Sequence, residues 1–262
     1  EGNIMKLKKV MALTMAGAMA ATTLTACGSS SSTTETTKAA ETTAAAAADT
    51  TAAAAADNGS SDAETVLQVA FENSISEPVG QGWEKAQEII KEKSGGKMAI
   101  EIYPDSQLGD KSSLIDSMLL GENVCTLADG AFYADYGVPD FGIVFGPFLF
   151  DSWDQVWKLV DSDWYKEQCD KLEEKGLKII ASNWIYGERH TLTNVPVNTV
   201  DDLKGLKIRV PSNEIQSKGF DVLGATSTGM ALGDVYQALQ TKTIDGAENP
   251  LATLYGRKLH EK

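Results

Sequence analysis

The chain has 262 residues, of which 23 are basic and 37 acidic, so its formal net charge is −14. Nucleic acid is not an expected partner of so acidic a chain, because binding phosphates needs a basic surface. Residues 63–262 are numerous enough for one large domain or two modest ones.

The N-terminal region has the pattern of a bacterial export signal. Lysines follow Met5, and a mostly apolar run then extends over residues 10–24. That run lacks the flanking residues of a stop-transfer helix. It ends in Leu-Thr-Ala-Cys-Gly at residues 24–28, which resembles a lipobox. We expect residues 1–26 to be a signal peptide and Cys27 to be lipidated; an ordinary secretory signal with an incidental cysteine is the alternative.

The next segment, residues 27–62, predicts a flexible tether. After Cys27 it consists of serine, threonine, alanine and a few polar residues, with no aromatic residue and no valine, isoleucine or leucine. Such a segment cannot bury enough apolar surface to offset the entropy of ordering. A lipidated cysteine on a tether would hold a domain at a membrane, and stable anchoring requires more than one acyl chain.

Residues 66–128 predict alternating strands and helices. Apolar residues at helical spacing begin at Trp83 and end before Gly95 and Gly96. We expect strands at 66–71, 98–103 and 124–128, and a second helix over about 112–120. This order favours βαβ units and a mainly parallel sheet.

The second half of the chain continues the pattern. We expect the longest helix at 153–175, strands at 177–181 and 205–210, and helices at 214–223 and 234–240. Ligands of open α/β sheets bind beyond the carboxyl ends of strands, and several polar residues fall at such places here. They are Glu72, Asn73, Asp129, Arg189 and Arg209. Polar residues also cap and turn strands, so their position alone is not specific.

The stretch Gly-Leu-Lys-Ile-Arg-Val-Pro, residues 205–211, has two interpretations. Its apolar residues alternate with Lys207 and Arg209, as in a half-buried strand. The two cations could lie on a solvated sheet face, or Arg209 could bind an anion.

Motifs for catalysis are missing from the sequence. There is no GxSxG, HExxH, Walker A or paired CxxC motif, so nothing predicts an enzyme, a cofactor or a metal site. Gly80-Gln-Gly82 is half of a dinucleotide-binding pattern, and we interpret it as a turn. Cys125 and Cys169 are expected to be buried thiols, with one disulfide as the alternative.

An ordered set of motifs resembles the extracytoplasmic solute receptors of TRAP transporters, the DctP-like family. In the second half the motifs are YGERH at 186–190, LKGLKIRVP at 203–211, LGA at 223–225, VYQALQ at 235–240 and IDGAENP at 244–250. In the first half they are SGGK at 94–97, YP at 103–104, SQLG at 106–109 and PFLF at 147–150. The resemblance covers essentially all of residues 64–262.

The resemblance implies an α/β fold of the two-lobed periplasmic-binding-protein type, type II, with mainly parallel sheets flanked by helices. Residues 63–186 would form lobe I, residues 187–262 would form lobe II, and the ligand would lie in the cleft between them. It also implies a monomeric receptor, not an enzyme, on the outer face of the bacterial cytoplasmic membrane. This receptor would deliver a C4-dicarboxylate or a sugar acid to transporter membrane subunits. A ligand-sensing partner of a membrane signalling receptor is the alternative.

The resemblance also implies the site residues. Arg209 corresponds to the arginine that pairs with the ligand carboxylate, and Arg189 and Asn249 correspond to two further binding residues. The planar guanidinium fork matches the two oxygens of a carboxylate, which lysine cannot do. Three other residues correspond to cleft-lining positions of some members, and for them a surface role is an equal alternative: Glu72, Lys111 and Asp129.

Three features depart from the family pattern. Residues 226–230 read Thr-Ser-Thr-Gly-Met where Pro-Thr-Pro-Met is common, and Leu232 stands where an aromatic residue often stacks on the ligand. Family members typically continue past the position of Lys262 through another strand and a long helix. We therefore expect the C-terminal part of the family fold to be missing from this sequence.

Overall fold

A computed structural model describes residues 62–262 of the chain. The expected signal peptide, the lipidation site Cys27 and all of the expected tether but Asp62 lie outside the described residues. The strands are β1 (Thr65–Ala70), β2 (Met98–Tyr103), β3 (Val124–Cys125), β4 (Arg189–Thr193), β5 (Lys207–Val210), β6 (Thr226–Gly229) and β7 (Gly246–Pro250). The helices are α1 (Pro78–Lys93), α2 (Lys111–Leu119), α3 (Gly130–Asp135), α4 (Trp153–Val160), α5 (Asp163–Glu174), α6 (Glu214–Val222), α7 (Val235–Gln240) and α8 (Leu251–Gly256).

The first sheet has three parallel strands in the order β2-β1-β3. Its central strand β1 is apolar at its end, where Val69 and Ala70 are buried. Helix α1 begins at Pro78, whose fixed φ suits the first helical position. Trp83 of α1 packs on Val69 and on Ile100 and Ile102 of β2. This packing holds the carboxyl end of β1 in place.

The second sheet is mixed, with four strands in the order β4-β7-β5-β6. Strand β5 is parallel to both of its neighbours, β6 and β7, whereas β4 and β7 are antiparallel. Ile208 and Val210 of β5 are fully buried, and Ile208 packs in a small core with Leu203 and Ala225. A larger core forms around helices α7 and α8, with Val235, Ile244 and Leu254 among its members.

The predicted long helix at 153–175 is wrong, because two helices occupy that segment. Helix α4 ends at Val160 and α5 begins at Asp163. The hydroxyl of Ser162 accepts a hydrogen bond from the backbone N–H of Tyr165 and donates one to the carbonyl of Leu159. Serine is a favoured N-cap residue, so a new helix starts where the periodicity alone predicts continuation.

Three other local predictions are also wrong. Residues 177–181 pair with no strand in the described part of the chain, and the strand predicted at 124–128 is only Val124–Cys125. Gly80 and Gly82 lie inside α1 and not in a turn. The helix passes so close to Ile75 that a Cβ at Gly80 would lie 2.3 Å from the Ile75 carbonyl oxygen.

The two cysteines of the described region are separate thiols. Both Cys125 and Cys169 are free, and each is half-buried. Burial raises the pKa of the Cys125 thiol to about 11, so it stays protonated at neutral pH. The disulfide alternative is therefore wrong.

Across residues 62–262, no helix combines the length and the hydrophobicity needed to span a lipid bilayer.

Candidate functional site

One cleft brings together all six residues predicted for the site. Its lining comes from the loop after β1, from the segments around α2 and β3, and from strands β4, β5 and β7. The predicted residues in this lining are Glu72, Lys111, Asp129, Arg189, Arg209 and Asn249. The other lining residues are Phe71, Asn73, Thr126, Leu127, Tyr186, Pro211 and Leu232.

Arg209 is the most buried charged group of the cleft. It is the third residue of β5, and only 2% of its surface is exposed. Its Nε and Nη2 groups donate to the backbone oxygen of Met230, at 2.9 Å and 2.6 Å. Its Nη1 group is buried without an acceptor, and among residues 62–262 the side chain forms no ion pair. Burial lowers the pKa of the guanidinium to about 10, although Glu72 and Glu248 act in the opposite direction.

The solvated-face interpretation of Arg209 is therefore wrong. On the same strand Lys207 is exposed, whereas Ile208, Arg209 and Val210 are all buried. Strand β5 pairs along both edges, with β6 and with β7. Because Ile208 and Arg209 point to opposite faces of the sheet and both are buried, both faces of the strand are covered as well. A buried guanidinium needs hydrogen-bond acceptors and a negative charge close to it. The described protein groups supply an acceptor for Nε and Nη2 but none for Nη1.

Arg189 differs from Arg209 because it has a carboxylate partner. It begins β4, beside the end of the antiparallel strand β7, and both its Nε and Nη2 groups bind the Glu248 carboxylate. Burial opposes its charge, but the hydrogen bonds and the charge of Glu248 outweigh that effect and raise the pKa of Arg189. Gln216 donates to the same carboxylate at 2.8 Å. Arg189 forms its ion pair with Glu248 and not with Glu188, its neighbour in the chain.

Asn249 lies in β7 and is 3% exposed. The residue before a proline is biased toward extended backbone, and Pro250 follows directly. The Oδ1 atom of Asn249 accepts a hydrogen bond from the Tyr186 hydroxyl at 3.3 Å. Its Nδ2 group donates to no protein acceptor in the described region, so it remains a donor at the cleft.

The remaining three predicted residues are fixed by local contacts. Glu72 follows β1, and its Oε1 atom accepts from the backbone N–H of Leu232 at 2.7 Å. Asp129 is the N-cap of α3 and accepts from the N–H of Ala131 at 3.0 Å. Lys111 opens α2, and its ammonium lies 4.7 Å from the centre of the Phe132 ring.

A buried polar network that sequence reasoning missed extends from two lining residues, Asn73 and Tyr186, into the protein. The Asn73 amide donates to the Glu77 carboxylate at 2.7 Å and to the Tyr186 hydroxyl at 3.0 Å. The Thr253 hydroxyl donates to the same carboxylate at 2.9 Å. Since Tyr186 also contacts Asn249, the network fixes the orientation of that amide.

Glu248 was missed as well, although a signal for it exists. It stands directly before Asn249 in the AENP stretch, in a strand of small and polar residues. An acidic residue in so buried a strand requires a cationic partner, and Arg189 is the cation nearest to it across the sheet.

Metal binding has no support in this part of the chain. Among residues 62–262, no group of three or more His, Cys, Asp or Glu side chains is arranged to hold a metal ion.

Comparison with known proteins identifies the family. Residues 69–262 match the family described as bacterial extracellular solute-binding protein, family 7, named DctP. The sialic acid-binding periplasmic protein SiaP of Vibrio cholerae is 30% identical over 207 residues, which are 77% of this chain and 63% of that protein. The C4-dicarboxylate-binding periplasmic protein DctP of Rhodobacter capsulatus is 32% identical over 184 residues, which are 70% and 55%.

A solved structure shows the same fold. The TRAP periplasmic solute-binding protein of Ochrobacterium anthropi, with bound L-fuconate, superposes with a TM-score of 0.73 and is 41% identical. The match covers 75% of this chain and 65% of that one. The predicted binding-protein fold, with parallel strands flanked by helices, is confirmed. This chain spans less than two thirds of the length of each of these three relatives. It belongs to the DctP family, family 7 of the bacterial extracellular solute-binding proteins.

Proposed function

We propose that the chain binds a small organic acid as the extracytoplasmic solute receptor of a TRAP transporter. The observation that carries this proposal is the buried guanidinium of Arg209, which lacks an ion-pair partner within residues 62–262 and keeps Nη1 without an acceptor. A ligand carboxylate would supply both the missing negative charge and the missing acceptor. The relatives agree with this chemistry, since they are named for, or contain, sialic acid, a C4-dicarboxylate or L-fuconate.

The energetics of the site favour a charged ligand over a neutral one. Hydrogen bonds to charged groups contribute roughly 1.5–3 kcal/mol each, and a buried charge left without a partner is unfavourable. A neutral analogue would leave Arg209 uncompensated, so the site should reject it.

The other predicted residues take supporting roles in this proposal. Asn249 donates from Nδ2, the atom that its contact with Tyr186 leaves free. Arg189 uses Nε and Nη2 on Glu248, so only its Nη1 group is available to a ligand. Glu72, Lys111 and Asp129 line the remaining wall of the cleft.

The proposed mechanism involves no chemical step. The two lobes, residues 63–186 and 187–262, close around the acid and present it to the membrane subunits. Lipidation of Cys27, at the start of the segment 27–62, would tether a monomeric receptor at the outer face of the bacterial cytoplasmic membrane. The relatives named as periplasmic proteins support the extracytoplasmic location.

A thermal-shift screen of organic acids tests the proposal. We expect at least one monocarboxylate or dicarboxylate to raise the melting temperature of the wild-type protein, and we expect Arg209→Ala to lose that increase. Lys207→Ala is the matched control, because Lys207 lies two residues away on the same strand and is exposed. An acid that stabilises the Arg209→Ala variant as much as the wild type would overturn the proposed role of Arg209.

A further inference from the structure

The charges that line the cleft distinguish two classes of organic acid. Three cations reach the lining, namely Lys111, Arg189 and Arg209, together with two carboxylates, Glu72 and Asp129. Which acids the cleft accepts depends on how many of these cations are available to a ligand.

Arg189 does not provide a second free positive charge. The Glu248 carboxylate accepts hydrogen bonds from two nitrogens of Arg189, Nε and Nη2. The Glu248 side chain is only 5% exposed. Gln216 holds the same carboxylate, so the pair is fixed from both sides. Separating a buried ion pair leaves a charge without compensation, and a ligand would therefore meet Arg189 as part of a neutral pair.

The charges that remain sum to zero. Once the pair is set aside, Lys111 and Arg209 are positive, whereas Glu72 and Asp129 are negative. One incoming carboxylate bound at Arg209 gives the lining a single excess negative charge. A bound dicarboxylate gives the lining two excess negative charges. Its second carboxylate enters a small cleft that already contains Glu72 and Asp129, and the repulsion between like charges opposes its binding.

The same two carboxylates present unused acceptors. Glu72 accepts the Leu232 N–H on Oε1, and Asp129 accepts the Ala131 N–H on Oδ1. In the described region no protein donor reaches Oε2 of Glu72 or Oδ2 of Asp129. An ionised carboxylate only accepts hydrogen bonds, so these atoms suit ligand hydroxyls and do not suit a second ligand carboxylate.

From this arrangement we infer that the cleft selects a monocarboxylate carrying several hydroxyl groups, a sugar acid, over a C4-dicarboxylate. The inference rests on the proposed function, because Arg209 must first bind the single carboxylate. Glu72 and Asp129 are then the residues that determine specificity: each accepts a hydroxyl and repels a second negative charge.

Isothermal titration calorimetry with two sets of probes tests the inference. The sugar acids are galactonate, gluconate and fuconate, and the dicarboxylates are succinate, malate and fumarate. We expect the tightest sugar acid to bind at least about 100-fold more tightly than the tightest dicarboxylate, since a site built to pair with hydroxyls discriminates strongly against ligands that lack them.

Variants of the two carboxylates give the second readout. Glu72→Gln keeps the oxygen that accepts from Leu232, and Asp129→Asn keeps a favoured N-cap residue, so both should fold. Each should reduce the preference for sugar acids by about 10-fold, through weaker sugar acid binding, tighter dicarboxylate binding or both. The control is Glu84→Gln, which removes the same charge from an exposed position on α1 and should leave the preference unchanged.

The outcomes separate the two proposals. If the tightest ligand is a dicarboxylate, or if Glu72→Gln and Asp129→Asn leave the preference unchanged, the specificity inference is wrong and the receptor function stands. If no acid of either set binds the wild-type protein, both the inference and the carboxylate role of Arg209 fail.

Discussion

The buried guanidinium of Arg209 lowers the stability of the folded protein. Its pKa of about 10 lies below the ordinary value for arginine, because burial opposes the charge more than nearby carboxylates support it. A lowered pKa means that the folded state favours the neutral form. At neutral pH the group is charged in both states, so the unfavourable term is fully present there and is relieved only above about pH 10.

Replacing Arg209 by methionine should therefore leave the unliganded protein as stable as the wild type or more stable. The pKa difference corresponds to about 3 kcal/mol, against which the two hydrogen bonds to Met230 contribute about 1–3 kcal/mol. We expect Arg209→Met to raise the free energy of unfolding by up to about 2 kcal/mol, measured by urea denaturation without ligand, and to abolish acid binding.

Arg257 is the matched control for that variant. Its Nη1 group donates to Asp105 at 2.9 Å and to the backbone oxygen of Glu72 at 3.2 Å, so its charge is compensated by the protein. Arg257→Met should lower the free energy of unfolding by about 1–3 kcal/mol. A larger loss of stability in Arg209→Met than in Arg257→Met would show that Arg209 has a mainly structural role.

At the scale of the elements, strand β7 is held between two neighbours with no space for a side chain at its start. A Cβ at Gly246 would lie 2.4 Å from the backbone oxygen of Leu192 on β4 and 3.0 Å from Ile208 on β5. Neither neighbour can move freely, since one contact is with backbone and Ile208 is fully buried. We expect Gly246→Ala to destabilise the protein by at least about 2 kcal/mol and to weaken acid binding, because β7 also carries Asn249.

Gly219, on helix α6, differs from Gly246 because it has space for a side chain. A Cβ there would meet nothing within 4 Å, so Gly219→Ala should stabilise the protein by about 0.5–1 kcal/mol through helix propensity. Thermal melts of both variants followed by circular dichroism compare the two directly. Equal melting temperatures for the two alanine variants would contradict the close packing of β7.

The elements that sequence reasoning found and missed differ in a physical respect. Strands β1, β2 and β5 and helices α1 and α2 carry their own apolar periodicity, and their positions were predicted to within a few residues. Strands β4, β6 and β7 were missed because they are built from small and polar residues, such as Thr-Ser-Thr-Gly in β6. These segments are strands because neighbouring strands pair with them, and that pairing cannot be predicted from the sequence of the segment itself.

In the site, too, the residues could be predicted from the sequence, whereas a long-range contact of one of them could not. The six residues taken from the family resemblance meet in one cleft, but the pattern could not show that Arg189 is paired. That pairing depends on the register between β4 and β7, which is a long-range property of the sheet. The AENP stretch shows an acidic residue, Glu248, in a strand of small and polar residues, but which cation it neutralises follows only from the structure.

At the scale of the whole molecule, polar contacts join segments near the first sheet to segments near the second across long sequence separations. The Glu72 carboxylate accepts from Leu232, the Asp105 carboxylate accepts from Arg257, and the Glu77 carboxylate accepts from Thr253. All three acceptors belong to the part of the chain that contains the first sheet. The proposed closure of two lobes requires a junction that can open, and polar contacts can be exchanged for water more readily than apolar packing.

Thr253 is the most informative residue at this junction, since it is fully buried between Asn73 and Glu77. Thr253→Val has nearly the same shape but removes the hydroxyl, so the Glu77 carboxylate loses a donor and the Asn73 amide an acceptor. We expect it to lower the free energy of unfolding by about 1–3 kcal/mol, measured by urea denaturation. Thr253→Ser keeps the hydroxyl and should change stability by less than about 1 kcal/mol. If the valine variant proved as stable as the serine variant, the hydroxyl would contribute nothing to the junction, and apolar packing of Thr253 would have to hold the two parts together.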